Sequence, residues 1–240
     1  MVAFVVFALQ LSAPALVSTL DSGKLKGEPT QLAWSTDGDK LFLQTSERDA
    51  KGMVGNHRYF VMSAAQGKPE SVDAAPEWAA EYWTWKSNKF APGSTSMGIE
   101  VKQDERKTTA TSSPMGGDLA RGGSDGGSGG TTAGDVVSRA QQVQAQHVFS
   151  LTLRGENVGE FVNQQFLPGY TFGWSPRERM IAYTNASGRL AVMQENGDKQ
   201  QVEATRNVIL PAWSPDGSKI AFLQKAGKNK YELYVVTVAK

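Results

Sequence analysis

Apolar positions in this chain fall in short runs broken by Gly, Pro, Asp and Asn, and over most of its length they do not recur at helical spacing. Pro211-Ala212-Trp213 closes one such run, Ser214-Pro215-Asp216-Gly217 interrupts it, and Lys219-Ile220-Ala221-Phe222-Leu223 resumes it. That pattern predicts strand, tight turn, strand. Ser suits the first corner of a type I turn, Pro presets φ at the second, and Gly217 accepts the last position. The residues that follow favour a pleated, half-buried surface.

The arrangement is repeated. Leu32-Ala33-Trp34-Ser35-Thr36-Asp37-Gly38-Asp39-Lys40-Leu41-Phe42-Leu43 has the same plan, with Gly38 in the place of Gly217. Gly173-Trp174-Ser175-Pro176-Arg177-Glu178-Arg179-Met180-Ile181-Ala182-Tyr183 is a third copy, with Glu178 where the turn Gly would be. Glu81-Tyr82-Trp83-Thr84-Trp85-Lys86-Ser87 reads as a degenerate fourth that keeps the Trp and the Ser. Trp174 and Trp213 are 39 residues apart and Trp34 and Trp85 are 51 apart, each close to one four-stranded repeat; Trp85 and Trp174 are 89 apart. Gly, Ser and Thr dominate residues 108–134, which cannot bury enough apolar surface to offset their ordering entropy. Residues 104–145 are therefore expected to be a flexible insertion, and subtracting it leaves one repeat in that interval.

Each repeat parses into four strands. In the third copy these are 170–175, 180–185, 189–194 and 199–204, with Asn196-Gly197 as a hairpin turn between the last two. In the second they are 81–87 and 94–103, then 146–153 and 159–163 beyond the insertion, with a short helix over 135–144 capped by Asp135. The last copy has its third strand at 231–238 and lacks a fourth, which residues 16–20 or 22–27 would supply. The expectation is an all-β chain: a β-propeller of about four four-stranded blades, the N-terminal strand closing the last. An open arc, or a dimer that completes the ring, are the alternatives to a self-closed monomer.

The repeated Ala/Gly-Trp-Ser-Pro-Asp-Gly-x-Lys-Ile-Ala-Phe pattern resembles the WD-like propeller repeat of TolB and of the propeller domains of prolyl oligopeptidase relatives. The resemblance implies a propeller fold. TolB-like proteins are exported and bind other proteins, and the oligopeptidase relatives carry a hydrolase domain beside their propeller. For function, propellers are a scaffold rather than an answer.

Composition narrows the rest. With 240 residues, 40% hydrophobic and 20% charged, the chain can build a packed core, and a net charge of +1 argues against a nucleic-acid partner. There is no Cys, which excludes disulfides and thiolate metal sites, and His57 and His147 are the only histidines. Asp37-Gly38-Asp39 and Asp216-Gly217 lack the further carboxylates at alternate positions that a calcium loop requires. No metal and no cofactor are expected. The apolar run 2–9 followed by Ala13-Pro14-Ala15 suggests a signal peptide over 1–15, with one domain over 16–240 and a periplasmic or secreted location; a buried first strand is the alternative. The run is too short to span a bilayer.

Trp34, Trp85, Trp174 and Trp213 are expected to be structural wedges between blades, with Gly38 and Gly217 as turn residues. Trp78, Tyr82 and Trp83 stand outside the repeat and form the candidate recognition patch, because aromatic residues anchor many interfaces. No catalytic residue is nominated. A Gly-x-Ser-x-Gly elbow in a strand-to-helix frame is absent, and His57, ahead of a strand at 58–64, and His147, opening another, are expected at loop edges. These features favour an exported, non-catalytic module that binds or scaffolds another protein. The alternatives are a regulatory propeller associated with a peptidase or hydrolase, and a small propeller enzyme with its site in the central channel.

Overall fold

The computed structural model describes residues 9–48, 54–89, 95–96, 99–109, 143–153, 156–163, 171–177, 179–185 and 187–239, and these residues are predominantly β. Strands β1 (Gln10–Leu11) and β2 (Ala15–Asp21) precede a single helical turn, α1 (Ser22–Leu25). A first antiparallel sheet follows in chain order: β3 (Glu28–Trp34), β4 (Lys40–Arg48), β5 (Val54–Ser63) and β6 (Glu70–Val72). Helix α2 (Glu77–Lys89) comes next. A second sheet joins β7 (Thr95–Ser96), β8 (Ile99–Thr109), β9 (Val143–Leu153) and β10 (Glu156–Asn163). A third joins β11 (Phe172–Trp174), β12 (Met180–Thr184), β13 (Leu190–Gln194) and β14 (Lys199–Gln201). The last holds β15 (Val208–Trp213), β16 (Lys219–Lys225) and β17 (Lys230–Ala239), with β1 and β2 on the outer edge of β17.

The chain divides into two compact units, Met1–Asp104 with His147–Lys240, and Glu105–Gln146. In the second unit the described residues are the parts of β8 and β9 at 105–109 and 143–146. Most of the Gly/Ser-rich insertion lies outside the described residues, and so does the expected helix over 135–142. Its last two expected positions, Val143 and Gln144, belong to β9 instead.

The repeat turns of the first and last sheets are built alike. Gly38 N–H donates to the Ser35 carbonyl at 3.0 Å, and Gly217 N–H to the Ser214 carbonyl at 2.9 Å. Both glycines have left-handed φ, +76° and +73°, where an L side chain is strained. The Ser hydroxyl accepts the N–H of the next strand's first residue, Lys40 or Lys219, at 2.9 Å. It also donates to the turn aspartate. That bond lowers the pKa of Asp37, and the hydroxyls of Ser214 and Ser218 lower that of Asp216 to about 2. These carboxylates serve the turns.

Strand β16 shows why the central runs are apolar on both faces. Ile220 and Phe222 pack with Met180, Leu190 and Val192 of the third sheet, while Ala221 and Leu223 pack with Leu32, Leu41 and Leu43 of the first. Alternate side chains of a strand point to opposite faces, so a sheet between two others must be apolar at successive positions. The repeat tryptophans cross the same boundaries. Trp34 is 1% exposed and donates Nε1–H to the Ala212 carbonyl of β15 at 2.8 Å. Trp213 is fully buried and donates to the Gly173 carbonyl of β11 at 2.9 Å. Trp174 is buried as well.

Two elements depart from the expectation, and the first is the strand over 94–103, which is not continuous but gives the antiparallel pair β7 and β8. Residues 81–87 are not the first strand of a second blade but the middle of α2, and Trp85 is therefore not a repeat position. Pro76 precedes the helix, Glu77 lies in its first turn and Ala79 and Ala80 follow, a sequence suited to helix initiation. At the N-terminus, Leu9 and Leu11 pack against the core shared by the third and last sheets, and β1 pairs with the end of β17. Of the two candidate N-terminal strands, 16–20 lies within β2, whereas Ser22–Leu25 is helical.

Candidate functional site

Helix α2 packs against the first strands β3 and β11, and two of its polar groups reach β15. Tyr82 donates its hydroxyl to the Trp213 carbonyl at 2.9 Å, and Lys86 Nζ donates to the Pro211 carbonyl at 3.1 Å. The second acceptor exists because β15 bulges. Its register shifts between Ile209 and Ala212, Leu210 takes a left-handed φ of +54°, and Pro211 has no N–H to give to the ladder. The backbone here is also crowded from the third sheet, where a Cβ added at Gly173 would stand 2.8 Å from the Pro211 oxygen.

Burial sets the ionisation of both groups. Enclosure of the Tyr82 hydroxyl raises its pKa. Lys86 is 1% exposed, and burial lowers its pKa to about 7. Its ammonium also lies 5.9 Å from the centre of the Trp83 ring.

Above these anchors a pocket of about 260 Å³ opens. Each of three repeat turns gives it one residue, Thr36, Pro176 and Pro215, and Trp34 forms part of its wall. The helix supplies Trp78, Glu81, Tyr82 and Trp85. Spacings of four and three residues place Trp78, Tyr82 and Trp85 on one helical face. Trp78 meets Phe42 edge-on at 6.2 Å, and Tyr82 and Trp85 stand 5.7 Å apart, so the rings are held by neighbours rather than splayed. Glu81 is exposed and is the charged member of this lining.

The arrangement regroups the candidates. Trp78 and Tyr82 share the pocket, but Trp83 is not among the residues that line it and lies beside Lys86 instead. Trp85 lines the pocket, and Trp34 serves both pocket and core. Trp174 and Trp213 are core residues, and Gly38 and Gly217 stay in their turns. Sequence reasoning missed Glu81, Trp85 and Lys86 as site residues. The signal was the i, i+4, i+7 spacing of Trp78, Tyr82 and Trp85, which is helical and not strand-like.

His57 lies inside β5, not ahead of it, and is exposed. Its Nδ1 is 2.8 Å from Ser46 Oγ, which is itself 3.0 Å from Thr30 Oγ1. This chain of hydroxyls and imidazole runs along the first sheet, and none of its members lines the pocket. His147 falls within β9. Among the described residues, no helix is long and apolar enough to cross a membrane.

No protein-family model matches the chain, and no curated protein matches it. Among solved structures it is similar to an acylaminoacyl peptidase in complex with Z-Gly-Gly-Phe-chloromethyl ketone, with 10% identity and a TM-score of 0.23. The similarity covers 83% of this chain and 29% of that one, so the chain spans less than a third of that structure's length.

Proposed function

We propose that the chain is an exported, non-catalytic β-propeller of the TolB-like kind that binds a protein partner on the face where α2 and the repeat turns meet. The observation that carries this reading is the pocket itself, pooled from three separate repeats and from the helix. Rigid aromatic walls at the edge of a packed scaffold suit an anchor residue of a partner. The ring arrangement draws support from the indole bonds, since Trp34 reaches from the first sheet to the last and Trp213 from the last to the third. Closure within one chain, rather than between two, draws support from β2 pairing with β17. Export rests on the apolar run and Ala13-Pro14-Ala15.

Selection of displayed random peptides on the immobilised protein tests the binding reading. Enriched peptides should bind the wild type and weaken about tenfold or more with Trp78→Ala, at an unchanged circular dichroism spectrum. Peptides that bind both proteins equally would place recognition elsewhere and end this reading. The intact mass of the protein recovered from an exporting host tests localisation: a chain starting near residue 16 supports export, and a full-length one opposes it.

A further inference from the structure

Resting on that reading, we infer that the occupant of the aromatic pocket is a cationic side chain, lysine or arginine, carried by an extended segment of the partner. Trp34, Trp78, Tyr82 and Trp85 line it with π-systems, whose faces are electron-rich, and Glu81 is its charged member. A purely aliphatic guest would gain nothing from that carboxylate, and an anion would be repelled by it. The Tyr82 O–H is already donated to the Trp213 carbonyl and so is not offered to an anionic or other acceptor guest.

The pocket continues into a second, smaller one of about 150 Å³ that shares Thr36 and Pro215 with it. Asp37, Asp39 and Asp216 face this space together with Arg177 and Lys219, three carboxylates against two cations. The carboxylates of Asp37 and Asp216 stay ionised through the physiological range because turn hydroxyls hold their protons off. The space beside the ring-lined pocket therefore carries one net negative charge in its lining. Charge complementarity thus selects a basic segment over a neutral, proline-rich one.

Fluorescence or calorimetric titration with matched pairs of short peptides, Lys against norleucine at one position, separates the possibilities. Lys and norleucine have nearly the same alkyl body, so the difference reports the charge. The Lys peptide should bind about threefold to tenfold tighter at low salt. Glu81→Gln should erase most of that preference while leaving norleucine binding unchanged. Trp85→Leu keeps apolar volume without a π-face and should lower affinity for the Lys peptide more than for its partner. Equal or tighter binding of norleucine, sensitive to Trp78→Ala, would overturn the cationic assignment and leave the binding site standing. Binding of neither peptide, with display-selected peptides insensitive to Trp78→Ala, would remove both.

Discussion

Lys86 is a long cationic side chain enclosed between a helix and a strand, and its energetics follow from its proton. Its pKa falls from 10.5 to about 7 on folding because burial disfavours the ammonium. Between those values the unfolded chain holds a proton that the folded chain lacks, so stability rises as pH increases from about 7 and levels off near 10.5. Below pH 7 both states are protonated and the burial penalty is present in full. Denaturant titrations at pH 7 and pH 9.5 should show the wild type gaining stability relative to Lys86→Met, which has no such proton. Parallel behaviour of the two proteins would refute the assignment. The same residue explains why α2 keeps its seat: the Pro211 carbonyl, freed by the bulge, becomes its acceptor.

Among elements, the sheets were legible and the helix was not. Strands β11 to β14 fall within the expected boundaries because turn residues mark each end: Ser175 with Pro176, Asn185 with Gly188, Asn196 with Gly197. Strand β16 is legible from the apolar run Ile220–Leu223 between Lys219 and Gln224. Helix α2 is masked because Trp83-Thr84-Trp85-Lys86-Ser87 imitates the end of a repeat strand, while Pro76-Glu77 and the spacing of Trp78, Tyr82 and Trp85 are the stronger signals. The pocket's aromatic character is half legible: Trp78 and Tyr82 stand outside the repeat pattern, but Trp85 joins them only once helical geometry is imposed. Glu81 and the turn residues Thr36, Pro176 and Pro215 needed the tertiary structure, since four segments of chain converge there. The junction of β11 with β15 also makes a contrast that sequence could not supply. Gly38→Ala meets nothing within 4 Å and pays only for its left-handed backbone, about 1 kcal/mol. Gly173→Ala drives a Cβ into the Pro211 carbonyl and disturbs the bond from Trp213, and should cost about 2–3 kcal/mol. Thermal melts of the two variants check the order, and a smaller loss at Gly173 would mean the sheets part there easily.

For the whole molecule, the decisive pairing joins strands from far apart in the chain. Residues of β2 pair with Lys230–Val235, with one register shift between Leu233 and Tyr234; Ser12 exchanges hydrogen bonds with Thr237, and β1 faces Val238 and Ala239. Beginning the protein at Leu16 would leave most of β2 but remove β1 and the packing of Leu9 and Leu11 on the core. That version should be less stable than the chain that keeps β1, by about 2 kcal/mol, in urea titrations of the two purified forms. An equal midpoint and slope would show β1 to be energetically idle.

The same pairing decides how the molecule would meet a mechanical load. Gln10 lies opposite Ala239, and Asp21 opposite Lys230, so the antiparallel ladder is entered at one end by both outer segments of the chain. Tension applied between those segments does not shear the ladder along its length. It opens the ladder from Gln10 and Ala239 inward, one pair of bonds at a time, as a zipper does. The last sheet would yield first and at low force, freeing the edge of β17 while the first and third sheets still hold their hairpins.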